Sequence, residues 1–293
     1  MIALSYPGSL HNHTESSNLI SRDSINTIQG LVDYAIELGH RGIAFTEHES
    51  ISNAIDIEEY AQKIKEKYPD FKIIRGNEIY LVRNGLNASN FVKGQDKYTH
   101  FLLLALDEIG HKQIRELSTR AWLRSYMGTG RRRVPTYYQD LWDIIAPNPG
   151  HIVASSACIG GSLGTQLLRY RDNHDINLLA KIKAWCQQLE QLFGKGNFYL
   201  EMQPSNGDEQ VYVNKQIVQL SQELNIPCII TTDSHYLKKD DLKIERAFLR
   251  SQNSEREVDS FYATTYMMNT EEVHSYMDKY IPAEVIEQAF ANI

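Results

Sequence analysis

The chain has 293 residues, 42% of them hydrophobic and 23% charged, with a formal net charge of −7. That is length enough to bury a sizeable core, and the composition is ordinary for a globular protein. The acidic balance argues against diffuse coating of a nucleic acid, yet it is what a chain shows when carboxylates await cations.

In chain order, a short first strand leads into "SLHNHTESS" at 9–17, where His11 and His13 are two residues apart and so point the same way. "SINTIQGLVDYAIELG" repeats apolar residues at Ile28, Leu31, Val32, Ala35 and Leu38 and stops at Gly39, the pattern of an amphipathic helix. "GIAFTEH" at 42–48 reads as the second strand, and "AIDIEEYAQKIKEKYP" as a helix ending before Pro69. "KIIRGNEIYLV" at 72–82 and "HFLLLAL" at 100–106 read as the third and fourth strands. "MGTGRRRVP" at 127–135 is a Gly-punctuated basic loop. Strands follow at "HIVASSAC" (151–158), "FYLEMQ" (198–203) and "CIITTDSH" (228–235), separated by the helical "DINLLAKIKAWCQQLEQLFG" and "DEQVYVNKQIVQLSQELNIP". Alternation of this kind predicts βαβ units, a parallel sheet and, with seven strands, a barrel. Beyond His235 the pattern is polar and helical, and the chain stops without a closing signal, as a piece of something longer would.

Cys158, Cys186 and Cys228 are an odd, irregular set, which points to a reducing compartment and a cytoplasmic protein. No apolar run approaches the roughly 20 residues of a membrane span, so no membrane partner is expected.

The polar residues fall at strand ends. His48 closes the second strand, Glu78 lies within the third, His100 opens the fourth, Cys158 closes the fifth, and Asp233 and His235 close the seventh. In α/β barrels the active site is built at that rim, and imidazole, carboxylate and thiolate are all metal ligands. Asp23, between the first strand and the first helix, reaches the same rim, but in isolation it is equally good as a helix cap. A lone His is more often structural, and Cys158 alone would be a small buried hydrophobe. A carboxylate in the apolar strand around Glu78 is harder to dismiss, because burial without a partner is expensive. Five of the ten histidines on strand ends, with two same-face pairs, favour a polynuclear metal site. "HNH" here lacks a nuclease ββα setting, "GTGRRR" lacks the Lys of a phosphate loop, and no CxxC pair exists.

"LHNHTESS", "AFTEHES", "RGNEIYLV", "THFLLLAL", "ASSACIGG", "FYLEMQ" and "TTDSHYL", in this order, resemble the PHP (polymerase and histidinol phosphatase) domain. The likeness is to the form at the N-terminus of the bacterial DNA polymerase III α subunit, and "EREVDSFYATTYMM" at 255–268 resembles its phage-encoded variety. The resemblance implies a distorted (β/α)7 barrel over residues 1–240 and additional C-terminal helices over 241–293, leading towards a polymerase core. It implies up to three divalent ions, zinc or manganese, with iron as a further option. One ion would lie near His11, His13, Glu78 and Asp233. A second would share Glu78 with His100 and Cys158, and a third would use Asp23, His48 and His235. Two departures stand out: the family reads Asp where Glu47 stands, and Asp23 follows an expanded loop, "SSNLISRD".

The expected activity is metal-dependent hydrolysis of a phosphodiester, a 3′–5′ exonuclease proofreading a DNA primer–template, with Arg131, Arg132 and Arg133 on the phosphate backbone. The alternatives are a catalytically silent, metal-stabilised scaffold that binds the polymerase core or other replisome subunits, and a phosphomonoesterase of the histidinol-phosphatase type.

Overall fold

Seven strands curl into a distorted barrel in a computed structural model that describes residues 6–82, 98–128, 131–252 and 261–293. The elements run β1 (Gly8–Ser9), α1 (Ile28–Glu37), β2 (Gly42–Phe45), α2 (Ala54–Lys65), β3 (Lys72–Val82), β4 (Thr99–Ala105) and α3 (Glu108–Leu123). Three two-residue strands follow, β5 (Tyr126–Met127), β6 (Arg132–Arg133) and β7 (Thr136–Tyr137), then α4 (Tyr138–Ile145), β8 (Ile152–Ser155), α5 (Ser162–Asn173) and α6 (Ile176–Phe193). The chain continues through β9 (Phe198–Met202), α7 (Asp208–Leu224) and β10 (Cys228–Ile230). It finishes with α8 (Leu242–Gln252), α9 (Thr270–Met277) and α10 (Ala283–Ala291). None of the helices among the described residues is long and apolar enough to cross a membrane.

The barrel order is β1-β2-β3-β4-β8-β9-β10. All neighbours are parallel except β4, which is antiparallel to both β3 and β8. The wholly parallel sheet expected from the alternation is therefore corrected at one strand, and the reversal has a consequence for the site. Because β4 runs backwards, His100 at its start lies at the same rim as the ends of the other strands.

Period-two alternation separates the two faces of the β3–β4 pair. Ile79, Leu81, Phe101 and Leu103 face outward into the main core shared with the helices. Leu102 and Leu104 face inward and pack with Leu10, Ala44 and Ala157. Following that inner face towards the rim, Leu104 and Leu102 give way to His100, while Glu78 pairs with Leu102 and Tyr80 with His100. The barrel interior is thus greasy at its floor and ligand-rich at its mouth. Val273, Met277, Ile286 and Phe290 of the C-terminal helices belong to the same core cluster as Leu200 and Ile230.

The local signals behave as their chemistry requires. Thr27 caps α1 by accepting from the Gly30 N–H at 3.0 Å, and Gly39 follows the helix with φ +77°, where a side chain would be strained. Helix α1 therefore starts after Asp23, and the capping alternative for that residue is excluded.

Closure of the ring rests on few bonds. A single parallel bridge joins Asn12 to Ser234, with His13 N–H donating to Ser234 O and Ser234 N–H to His11 O, both at 3.0 Å. The fully buried Asn12 side chain braces it, donating to Ser9 O (2.9 Å) and Ala44 O (2.8 Å) and accepting from Ser9 Oγ (2.6 Å). Asn12→Ala leaves two buried carbonyls and a hydroxyl unmatched and should cost about 2–4 kcal/mol. Denaturant unfolding measures this, and a loss under about 0.5 kcal/mol would remove Asn12 from the closure.

Candidate metal centre

All nine side chains singled out in the sequence converge at the barrel mouth. His11, His13, Glu78 and Asp233 are buried, as are Asp23, His48, Cys158 and His235, and the His100 side chain is 26% exposed. The carboxylate of Glu78 is the hub. Its Oε1 lies 3.2 Å from His11 Nε2 and 2.9 Å from His100 Nδ1, and its Oε2 lies 2.5 Å from His48 Nδ1. Asp233 Oδ1 is 3.3 Å from His11 Nε2 and 3.1 Å from His13 Nε2. Asp23 Oδ1 approaches His48 Nε2 at 3.2 Å and His235 Nε2 at 3.9 Å. Cys158 Sγ is 3.3 Å from His100 Nδ1.

Three groups have donor atoms within 4.8 Å of one another: His11 with His13 and Asp233, Glu78 with His100 and Cys158, and His13 with His48 and His235. His13 stands in two of them. The first two groups follow the sets implied by the resemblance, and the third differs in drawing on His13 while Asp23 flanks His48.

A direct test of fit for a cation is whether these atoms are otherwise satisfied. His11 Nε2, His13 Nε2, Glu78 Oε1 and Asp233 Oδ1 are buried with no hydrogen-bond partner among the described residues, although they crowd within contact distance of one another. Buried polar atoms are nearly always bonded, so four orphans at one point form a donor set without its acceptor. Imidazole, carboxylate and thiolate donors suit a divalent transition ion.

Three of the imidazoles are oriented by hydrogen bonds at their other nitrogens. His11 Nδ1–H donates to Glu201 Oε1 at 2.7 Å, and His235 Nδ1–H donates to the Asp233 carbonyl at 2.7 Å. Ser17 Oγ donates to Glu47 Oε2 at 2.5 Å, so at 2.9 Å it accepts from His13 Nδ1–H. In all three, Nε2 is left facing the mouth. His100 is fixed differently, stacked on Tyr80 with ring centroids 4.7 Å apart and planes 4° from parallel.

Glu47, Glu201 and Ser17 are functional partners that the sequence reading misses. Glu201 is buried and also accepts from Thr231 Oγ1 (2.5 Å), Ser155 Oγ and Gln203 Nε2 (3.3 Å). Glu47 accepts from Thr14 N (2.9 Å), Thr14 Oγ1 (2.7 Å) and Asn53 Nδ2 (2.8 Å) besides Ser17. The Glu47 carboxylate therefore acts on His13 and on the His48 N–H through Ser17. Only the "YLEMQ" and "FTEH" strings hint at either residue, and neither carries a spacing that identifies a partner.

The backbone is bent to aim these groups. Glu49 (φ 50°), Ala157 (φ 57°) and Asp233 (φ 48°) adopt left-handed conformations at or beside candidate ligands, each at a cost of about 1–3 kcal/mol that surrounding structure must offset.

Protonation follows from the charge crowding. Burial opposes charge on His11, but the Asp233 and Glu201 carboxylates override it and hold its pKa well above the usual imidazole range. Burial likewise opposes charge on His48, and Asp23 and Glu78 raise it to about 10. His13, buried between His48 and His235, is lowered to about 3. Burial pushes the Cys158 thiol well up, with Asp233 and Glu78 adding to it. Burial disfavours charge on Glu78, and His100 with His48 nonetheless holds it well below the carboxylate range.

The mouth opens into a cavity of about 180 Å³ lined by Asp23, His48, His100, Asp233 and His235 of the cluster together with Tyr80, Tyr98, Phe261 and Tyr262. Arg131 and Arg133 line it as well, and the Arg133 guanidinium lies 4.9 Å over the Tyr98 ring. Arg132 does not line it, its Nη1 donating to Ser125 Oγ at 3.1 Å. Thr129 and Gly130 of the basic loop, and residues 255–260 of the phage-like string, lie outside the described residues.

A protein-family model described as the PHP domain matches residues 9–205. The chain is 38% identical to the "DNA-directed DNA polymerase" of Bacillus phage SPbeta over 96% of its own length and 22% of that protein's. It is 27% identical to the "DNA polymerase III subunit alpha" of Treponema pallidum over 79% of its length and 18% of that protein's. It thus spans about a fifth of these relatives. Among solved structures, histidinol phosphate phosphatase from Lactococcus lactis, complexed with zinc, L-histidinol and phosphate, aligns over 85% of this chain and 94% of its own. The TM-score is 0.42 and the sequence identity 16%.

Two outcomes follow from this geometry. Bound ions need unprotonated ligands, and His11, His48 and Cys158 hold protons at pH 7.5. Loading should release about two to three protons per chain, and affinity should rise with pH because raised imidazole pKa values favour the competing proton below them. Calorimetry in buffers of different ionisation enthalpy counts the protons, and a count of zero would contradict the assignment. Glu201→Ala should weaken divalent-ion affinity ten- to a hundredfold by freeing His11, read by competition with a chromophoric chelator.

Proposed function

The chain belongs to the PHP domain family, and on that premise we propose that it is a metal-dependent phosphodiesterase. The observation that carries the reading is the convergence of four buried, unpartnered donor atoms, His11 Nε2, His13 Nε2, Glu78 Oε1 and Asp233 Oδ1. We take the nine clustered residues as ligands of up to three ions, zinc or manganese, with Glu78 shared between groups. When bound, clustered divalent ions supply Lewis acidity, polarising a phosphoryl oxygen and activating water.

The chain's own residues do the rest. Arg131 and Arg133 give the mouth its positive charge and draw a phosphate towards the cluster. The carboxylates of Glu201 and Glu47 fix the ring orientation and proton position of His11 and, through Ser17, of His13. Glu78 and Asp233 hold the cluster anionic, so a second negative group approaches it only when cations compensate.

Similarity to phage and bacterial DNA polymerases supports a DNA substrate. We infer a 3′–5′ exonuclease that trims a mismatched primer end, working with a polymerase core.

His13→Ala and Asp233→Asn should each lower hydrolysis of a 3′-mismatched primer by about 10³-fold or more while unfolding stays cooperative. Both are assayed beside a phosphomonoester in the same divalent-ion buffer. Full exonuclease rate in either variant would reject the mechanism. Turnover of the phosphomonoester alone would reassign the substrate, and cleavage of neither by the unmodified chain would leave a scaffold.

A further inference from the structure

A second cavity, of about 440 Å³, opens beside the metal centre. It is a neighbour of the cluster at three points of the rim. Ile159 on its wall follows Cys158, Thr232 precedes Asp233, and Gln203 donates Nε2 to Glu201 Oε1 at 3.3 Å. Phe261 lines both this cavity and the one holding the cluster, with its ring 6.4 Å from that of His235. Phe261 is the one side chain common to both linings among the described residues.

The chambers differ in charge. Arg131 and Arg133 face the cluster's chamber. The second has no basic side chain among the described residues that line it, and it carries Asp208 and Glu209, the latter paired with Arg171 at 3.2 Å. A phosphate is therefore drawn to the first chamber and repelled by the second. What suits the second is a neutral, flat ring with hydrogen-bonding edges. Phe261 offers a stacking surface, and two wall amides are anchored in place, Gln203 by Glu201 and Gln210 by Asn214 at 2.9 Å. The volume falls in the ~300–1,000 Å³ range of small-molecule sites.

We propose that this chamber is a nucleobase subsite. The base of the terminal nucleotide enters it against Phe261, its phosphodiester lies at the cluster, and the remaining strand leaves past Arg131 and Arg133. The assignment rests on the phosphodiesterase reading above and adds the part of the substrate that is recognised. It also makes Phe261 a specificity residue, since base–aromatic stacking accepts any base and discriminates only against its absence.

The test compares two oligodeoxynucleotides that differ at the 3′ residue, one bearing a base and one abasic, with the wild-type chain and Phe261→Ala. The wild type should favour the base-bearing end by about tenfold in kcat/KM, and Phe261→Ala should bring that ratio close to one. Phe261→Tyr should keep the ratio, which guards against a change in folding. Equal rates on the two ends in the wild type would overturn the subsite, and so would a ratio in Phe261→Ala unchanged from wild type. Failure of the wild type to cleave either oligonucleotide with divalent ions would instead bring down the phosphodiesterase reading, and the subsite with it.

Discussion

A carboxylate with no solvent exposure, Glu78, is surrounded by imidazoles from three separate segments, His11, His48 and His100, at 2.5–3.2 Å. Burying an anion is costly unless positive charge is brought to it. The fold brings that charge in a form that protons can supply or a cation can replace. Everything at the rim is arranged around this exchange. Three imidazoles present Nε2 because their Nδ1–H groups are committed elsewhere. The carboxylates that commit two of them, Glu201 and Glu47, are themselves saturated by neutral donors from Ser, Thr, Gln and Asn side chains. Saturation matters because a carboxylate with spare lone pairs would compete with Glu78 for the same protons.

Such an arrangement is unfavourable locally and must be held by something else. The left-handed backbone at Glu49, Ala157 and Asp233, and the orphaned donors they aim, are compensated by an apolar body. Phe101, Phe193 and Phe198 pack as one aromatic group on the outer face of the barrel, with centroids about 6 Å apart. The barrel separates the two roles by direction: outward-facing residues of β3 and β4 stabilise, and inward-facing ones converge on the mouth. Closure by the Asn12–Ser234 bridge then places His11 and His13 next to Asp233 and His235, residues more than 200 positions apart in sequence.

Much of this was legible in the residues. Each of the seven candidate strands overlaps an observed one, and the period of two pairs His11 with His13. What escaped has a physical reason in each case. The direction of β4 is invisible, because a short run such as "HFLLLAL" looks the same whichever way it runs in a buried sheet. Helices α3 and α5 carry a weak sequence signal because their apolar stripes are diluted by polar residues and glycines, Gly110 and Gly164 among them. Gly110 is there because a Cβ would lie 1.9 Å from the His151 carbonyl. Glu201 could not be recognised because its partner is 190 residues away, and pattern reading reports what a residue is but not what it meets. Arg131, Arg132 and Arg133 show the same limit: adjacent and chemically identical, only the first and third reach the cavity.

The net charge is the last quantity that changes meaning once the fold is known. Acidic residues exceed basic ones by seven, which on a surface would repel a polyanion. Yet six carboxyl groups, Asp23, Glu47, Glu49, Glu78, Glu201 and Asp233, are buried around the barrel mouth. Most of the acidic excess is therefore internal, and little of it remains to face an approaching strand. With Arg131 and Arg133 at the opening, the potential met by a phosphate is set by the mouth rather than by the chain average, since charges beyond about 10 Å are screened at physiological salt. An acidic protein can thus present a locally attractive entrance, and three of these buried carboxylates, Asp23, Glu78 and Asp233, are among the groups that would bind the cations.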